Sequence, residues 1–262
     1  MQVLYIYALM QIIFESLPVS SSGNVMLWIP VLQNILNLAI PENNIPDFDF
    51  LLHIPTIFVI GVFFFRSWYR SISNIQKGFG SVVGLITCCA LADAVTVFFY
   101  YLWKAVGTGF FPLWFGFLCT TFLLFSLRWV SQKSVKGRLS LFDALILGVV
   151  QGCALLPGIS RLATTFVTAV WLGYGPERSF RYSFLLQMPL LGAACAQALW
   201  HLRHLETYGV LAEPGFYGVV YAATVISFCV LSVVFAMVKQ KTVWWFAWYT
   251  AFLSMVALFF NS

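Results

Sequence analysis

Long apolar runs separated by short polar segments dominate the pattern of this chain. Six of these runs are long and continuous enough to cross a membrane as helices, because about 20 apolar residues span the hydrocarbon core of a bilayer. They cover roughly residues 49–66, 81–103, 110–128, 183–202, 215–238 and 243–261. The pattern therefore predicts an all-α membrane protein.

Two further apolar regions contain a polar interruption. Residues 3–32 are broken at Pro18 and Gly23, and residues 141–175 are broken at Pro157-Gly158. Irregular backbone at membrane depth is tolerated only where it is buried in protein or lines a watery cavity. We predict that both regions are re-entrant helical hairpins, which accompany six transmembrane helices and make no net crossing.

The composition and the charges support this arrangement. The 262 residues are 61% hydrophobic and 9% charged, whereas soluble domains carry about 25% charged residues. With six spans and two hairpins, eleven of the fourteen Lys and Arg residues fall in loops on one side, which the positive-inside rule assigns to the cytoplasm. The apolar N-terminal run has no preceding Lys or Arg and contains Glu15, so we expect no cleaved signal peptide.

Neither nucleic-acid binding nor a cysteine metal site has support in the sequence. Lys and Arg are not interleaved with aromatic residues as they would be in a nucleic-acid groove, so no nucleic-acid partner is expected. The six cysteines all lie in apolar runs without metal-ligand spacing, and we interpret them as small buried side chains.

Short motifs occur twice in the same order. FLLHIP at 50–55 matches FLLQMP at 184–189, and Pro-Val-Ser-Ser at 18–21 matches Pro-Gly-Ile-Ser at 157–160. This predicts one membrane domain over residues 1–262, built from inverted repeats at approximately 1–128 and 139–262. In such architectures the broken helices meet near the midplane of the membrane, and the binding site lies there.

The two polar turns would then face each other. Arg161 at membrane depth is costly, so it is expected either to form a structural salt bridge to Glu15 or to bind a phosphate with its guanidinium fork. Backbone N–H groups that open a helix also suit an anion. The polar residues of the two turns are Gln11, Glu15, Ser20, Ser21, Ser22 and Asn24 on one side, and Gln151, Ser160, Arg161, Thr164 and Thr165 on the other.

Several chemical roles are open to these groups. Glu15 is a candidate general base or metal ligand, and Mg²⁺ often combines one carboxylate with substrate phosphates. Ser20 or Ser21 is either a nucleophile or an ordinary turn residue. Elsewhere, Asp143 is predicted to cap the first helix of the second hairpin, and His53 is interpreted as structural.

These motifs resemble those of the bacterial undecaprenyl-diphosphate phosphatases of the bacitracin-resistance type. The resemblance extends over most of the chain in the right order. It depends on Gln11-x-x-x-Glu15, LPVSSSG at 17–23, Gln151, PGISR at 157–161 and YSFLLQMP at 182–189.

The resemblance implies an enzyme that hydrolyses the terminal phosphate of undecaprenyl diphosphate, which recycles the lipid carrier for peptidoglycan synthesis. It implies Glu15, Ser21 and Arg161 as catalytic residues, with Mg²⁺ or Ca²⁺ bound at Glu15. It also implies a multi-pass protein of the bacterial cytoplasmic membrane with its site open to the periplasmic face. A homodimer is left open.

The substrate-binding residues that we carry over support this site from both hairpins. They are Gln11, Ser20, Ser22, Asn24, Gln151, Ser160 and Thr165.

The sequence departs from the family pattern at two places. Asn24 stands where the family usually has a histidine that is a candidate proton carrier, and Leu162-Ala163 replaces a Ser-Gly pair. These departures keep two alternatives open besides a phosphatase: a transporter of polyprenyl phosphate that uses the same site, and a catalytically weakened relative.

Overall fold

The computed structural model describes residues 2–36, 45–73, 79–130, 134–202 and 213–260. These residues form helices and connecting turns, and no strand occurs among them. The helices are α1 (Gln2–Phe14), α2 (Ser21–Leu36), α3 (Ile45–Leu51), α4 (His53–Ser73), α5 (Phe79–Val106), α6 (Leu113–Ser126), α7 (Leu141–Cys153), α8 (Arg161–Trp171), α9 (Pro176–Leu202), α10 (Pro214–Gln240) and α11 (Phe246–Phe260), with a 3-10 turn at Val243–Trp245.

Five of the six predicted spans are confirmed as helices of membrane length within the described residues. Their apolar stretches cover Phe48–Tyr69, Val83–Val106, Pro176–His201, Pro214–Gln240 and Val243–Phe260. The fourth predicted span was placed too short, because α9 already begins at Pro176. Proline is favoured at the first position of a helix, where its missing N–H group would have no partner.

The third predicted span corresponds to α6, which has only 14 residues. At 1.5 Å per residue this helix is about 21 Å long, which is shorter than the roughly 30 Å of a bilayer core. Pro112 precedes its first turn, and irregular turns follow Ser126. The described part of the chain is therefore all-α with five long apolar helices, and the six-span topology stays a prediction.

Both interrupted apolar regions form helical hairpins. In the first, α1 and α2 pack against each other across a turn at residues 15–20. The Ser16 and Ser227 hydroxyls lie 2.7 Å apart, and Ser227 also donates to the carbonyl of Ile12, so α10 holds this turn. In the second hairpin, α7 and α8 pack across a turn at residues 154–160.

Helix α6 holds the second turn. Thr120 accepts a hydrogen bond from the N–H of Ser160 at 3.0 Å and donates to the carbonyl of Gly158 at 3.2 Å. Gly116, one turn earlier, packs directly against the carbonyl of Pro157. Because Gly158 has a φ of +80°, which glycine adopts without strain, the turn reverses the chain in this small space.

The prediction that Asp143 caps α7 was wrong. Ser140 is the N-cap residue, and its side chain accepts from the N–H of Asp143. The Asp143 carboxylate instead accepts from Lys136 at 2.8 Å and from the Tyr174 hydroxyl at 2.7 Å. The start and the end of the second hairpin therefore lie beside each other at the same end of the helix bundle.

Basic side chains gather at that end. Arg178 donates to the carbonyls of Lys136 and Gly137, and Arg181 and Lys239 both lie over the ring of Phe235. This clustering agrees with the predicted topology, in which most Lys and Arg residues fall in loops on one side.

The repeated hexapeptides take different local structures. His53 begins α4 after a break at Leu52, whereas Gln187 lies inside the continuous helix α9. The division into two inverted repeats stays a prediction.

Candidate active site

Glu15 is the centre of the polar cluster predicted from the sequence. It follows the last residue of α1, and its side chain is buried. One carboxylate oxygen accepts a hydrogen bond from the Ser21 hydroxyl, and the other accepts a hydrogen bond from the Gln187 side-chain amide. Arg161 Nη2 lies 3.5 Å from that second oxygen. Two neutral donors and one cation therefore hold the carboxylate in place.

The two hairpins meet through this ion pair, as the sequence predicted. Glu15 belongs to the first turn, and Arg161 is the first residue of α8 in the second hairpin. The turns also touch through their backbones, since a Cβ placed on Gly23 would lie 3.0 Å from the Cα of Gly158. Residues more than 130 positions apart in the chain thus form one site.

The N-termini of α2 and α8 both open on the cleft between the turns. Ser20 has a φ of +65°, and its hydroxyl accepts from the N–H of Gly23. Ser160 caps α8 by accepting from the N–H of Ala163. A helix N-terminus carries partial positive charge and unpaired N–H groups, so two of them beside one arginine suit an anion.

The cleft has a cavity volume of about 20 Å³ and is lined by six of the predicted residues together with Gln187. The side chain of Arg161 is about one quarter exposed, whereas that of Glu15 is nearly inaccessible. The two sequence interpretations of Arg161 are therefore compatible: it pairs with Glu15 through one nitrogen and still reaches the cleft. The predicted residues in the lining are Glu15, Ser20, Ser21, Ser22, Ser160 and Arg161.

Two of the other predicted residues stabilise the turns from behind. Asn24 is fully buried, donates to the carbonyls of Val19 and Ser20, and accepts from the Tyr249 hydroxyl at 2.7 Å. Thr165 donates back to the carbonyl of Arg161 at 2.8 Å. Neither residue is among those that line the cleft.

Gln11 and Gln151 are also buried outside the cleft lining. Gln11 lies one helical turn before Glu15, and its side-chain oxygen has no hydrogen-bond partner among the described residues. Gln151 lies beside Asp93 of α5, on the far side of the second hairpin. The structure therefore places neither glutamine in the lining of the cleft.

Gln187 is the contact to Glu15 that the sequence interpretation missed. It is buried in α9, 172 residues away along the chain from Glu15. The signal was present in the repeated hexapeptides, since Gln187 matches His53 there. His53 is buried as well and lies close enough to Glu15 to interact with it electrostatically.

The groups around Glu15 fit a hard cation only in part. Among the described residues no three His, Cys, Asp or Glu side chains cluster as a cation site. The buried side-chain oxygens of Gln11 and Gln187 lack hydrogen-bond partners within the described segments, and oxygen ligands of this kind suit Mg²⁺ or Ca²⁺. A cation bound here would need further oxygens from a substrate.

Taken together, the fold and the cleft define a helical membrane protein in which a hydroxyl, a carboxylate and an arginine lie together at one cleft. The chain belongs to the family described as bacitracin resistance protein BacA, whose family model matches residues 4–256.

Curated relatives agree with this assignment. The chain is 29% identical to an undecaprenyl-diphosphatase of Geobacter metallireducens over 253 residues, which cover 90% of this chain and 88% of the relative. It is 29% identical to an undecaprenyl-diphosphatase of Carboxydothermus hydrogenoformans over 265 residues, with 97% and 94% covered. It is 30% identical to an undecaprenyl-diphosphatase of Methanococcus maripaludis over 193 residues, with 71% and 73% covered.

Proposed function

We propose that this protein hydrolyses undecaprenyl diphosphate to undecaprenyl phosphate and inorganic phosphate, and so recycles the lipid carrier for peptidoglycan synthesis. Support comes from the family and from relatives named undecaprenyl-diphosphatase. The observation that carries the proposal is the Ser21 hydroxyl donating to Glu15 in a cleft that Arg161 also enters.

The diphosphate would lie between the two turns. Arg161 and the N-termini of α2 and α8 supply positive charge for the phosphate oxygens, and the hydroxyls of Ser20, Ser22 and Ser160 add polar contacts. The polyprenyl chain would extend between the apolar helices. Phosphoryl transfer depends mainly on positioning and on electrostatic stabilisation, and these groups provide both.

Two routes use the same residues. In the first, Glu15 accepts the proton of Ser21 while the Ser21 oxygen attacks the terminal phosphorus, and the bond between that phosphorus and the bridging oxygen breaks. Water later hydrolyses the phosphoserine. In the second, Glu15 accepts a proton from a water that attacks the phosphorus directly. In both routes the leaving group is the lipid monophosphate, and Gln187 holds the carboxylate in place.

Mg²⁺ or Ca²⁺ is the proposed cofactor. Glu15 would hold the cation together with the substrate's phosphate oxygens, with the amide oxygens of Gln11 and Gln187 nearby. Such a cation neutralises charge on the phosphoryl group when it is bound.

We place the protein in the bacterial cytoplasmic membrane. The basic end of the bundle would face the cytoplasm by the positive-inside rule, both hairpins would be re-entrant, α6 with its flanking turns would complete six crossings, and the cleft would open to the periplasmic side. The homodimer stays a prediction, which the mass of the purified protein in detergent would test.

Inorganic phosphate release from C55 diphosphate by purified protein, with Mg²⁺ and then with EDTA, tests the function. We expect metal-dependent release that Glu15→Gln, Ser21→Ala and Arg161→Gln each abolish while the variants stay monodisperse. Ser126→Ala is a control, since Ser126 is the last residue of α6 and does not line the cleft. Undiminished release by Glu15→Gln and Arg161→Gln would overturn the proposal, and lipid translocation without phosphate release would favour the transporter.

A further inference from the structure

A second, larger cavity lies at the basic end of the bundle. It has a cavity volume of about 700 Å³ and is bounded by α4, α5, α9 and the segment around residues 137–139. Leu185 and Pro189 of α9 line it, whereas Gln187 of the same helix lines the Glu15 cleft. At 100° per residue these positions lie on opposite faces of the helix. The cavity is therefore separate from the candidate active site.

The walls of this cavity are mostly apolar, and its charged residues are mostly basic. Leu85, Ile86 and Leu185 contribute to the apolar part. Three arginines and a single acid complete the charged lining among the described residues; they are Arg138, Arg178, Arg181 and Asp93. An apolar channel with a cationic rim is complementary to an amphiphile with an anionic head.

The arginines retain unused hydrogen-bonding capacity. Arg181 Nε is buried without a hydrogen-bond partner among the described residues, and its Nη2 reaches Glu177 only at 3.4 Å. Arg178 donates through Nη1 to the carbonyls of Lys136 and Gly137, which fixes the segment at the rim. The Arg181 side chain is about one third exposed, so its accessible N–H groups can donate to an anionic ligand in the cavity.

We propose that this cavity binds the phosphate of an anionic lipid at Arg138, Arg178 and Arg181, with one hydrocarbon chain along Leu85, Ile86 and Leu185. Two sources share this chemistry: a phospholipid of the surrounding bilayer and a polyprenyl monophosphate. The site concerns binding alone and does not depend on hydrolysis at Glu15.

The test measures the thermal unfolding midpoint and lipid retention in native mass spectra for the full chain in a neutral detergent. Phosphatidylglycerol is compared with phosphatidylcholine, and farnesyl phosphate is added as a competitor. We expect stabilisation by phosphatidylglycerol alone. Displacement by an equal concentration of farnesyl phosphate would identify a site that accepts monophosphate lipids, whereas resistance to it would restrict the site to phospholipids.

Two kinds of variant locate the site. Arg181→Gln removes the buried donor, and Gly84→Leu fills the channel, since a Cβ at Gly84 meets nothing within 4 Å. Arg181→Gln should weaken phosphatidylglycerol binding about tenfold, the size expected for the loss of one charge-assisted hydrogen bond, and Gly84→Leu should weaken it by occupying the space of the hydrocarbon chain. Arg128→Gln, an exposed arginine outside the cavity, and Gly218→Leu, also in open space, are the matched controls and should bind as wild type does.

Three results would overturn the proposal. Equal stabilisation by phosphatidylcholine would show that the head-group charge is irrelevant. Equal binding by Arg181→Gln, Gly84→Leu and both controls would place the lipid elsewhere. Binding that Arg161→Gln abolishes and Arg181→Gln preserves would place it in the Glu15 cleft. Because none of these readouts uses phosphate release, failure here is distinguishable from failure of the proposed hydrolysis.

Discussion

Gly116→Ala should damage the active site from a distance, because α6 packs against the second turn with no room for a side chain. A Cβ at residue 116 would lie 1.9 Å from the carbonyl oxygen of Pro157 and 2.8 Å from the Cα of Gly158, whereas ordinary contacts begin near 3.4 Å. Both neighbours are backbone atoms, so the turn itself must retreat by about 1.5 Å. Arg161 begins α8 three residues after Gly158 and would move with the turn.

The size of the effect follows from this displacement. A misplacement of about 1 Å can cost roughly 100-fold in rate, so we expect a loss of turnover of this order. Overpacking costs about 1–3 kcal/mol, and contact with a rigid backbone favours the upper part of this range. This exceeds the roughly 1 kcal/mol that alanine gains over glycine inside a helix. The unfolding midpoint should therefore fall together with the turnover number.

Phosphate release and thermal unfolding of the purified variant check this reasoning. Gly61→Ala in α4 is the matched control, since a Cβ at that position meets nothing within 4 Å and alanine should leave both quantities unchanged or raise stability slightly. Wild-type turnover and midpoint in Gly116→Ala would refute the inference that α6 fixes the position of Arg161.

Two further substitutions test how the site is held. Gln187→Leu removes a donor to the Glu15 carboxylate, and a hydrogen bond to a charged acceptor is worth about 1.5–3 kcal/mol. We therefore expect kcat to fall about 10- to 100-fold with little change in KM. A change in KM alone would assign Gln187 to substrate binding instead. Tyr249→Phe leaves the buried Asn24 side-chain oxygen without its donor and should lower the free energy of unfolding by about 1–3 kcal/mol, and an unchanged unfolding midpoint would contradict this.

The sequence was sufficient to predict the long helices and the two hairpins. Run length and a low charge content identify a membrane-length helix directly, and polar groups beside Pro18 and Pro157 mark a break that an apolar solvent does not tolerate. The prediction was too long for residues 110–128, because hydropathy continues past the places where Pro112 and the turns after Ser126 bound α6.

The site was predictable where the turn residues themselves supply the chemistry. Glu15, Ser21 and Arg161 lie together as expected. Gln151 and Thr165 were assigned to the cleft by their positions in the family motifs, and a position in a motif does not determine which face of a helix a side chain occupies. The repeated hexapeptides single out the position of Gln187, but its contact with Glu15 depends on how α9 packs against the first turn.

The partners of Glu15 also set the order in which the protein can be completed. During synthesis, Arg161 emerges 146 residues after Glu15, and Gln187 emerges 172 residues after it. Until then the first hairpin carries an acidic group toward the apolar phase without its cation or its amide donor, which is unfavourable. Stable insertion of this hairpin should therefore follow, and not precede, the arrival of α8 and α9. An N-terminal fragment that ends before α8 should accordingly remain open to membrane proteases and should become protected when the second half is supplied as a separate chain.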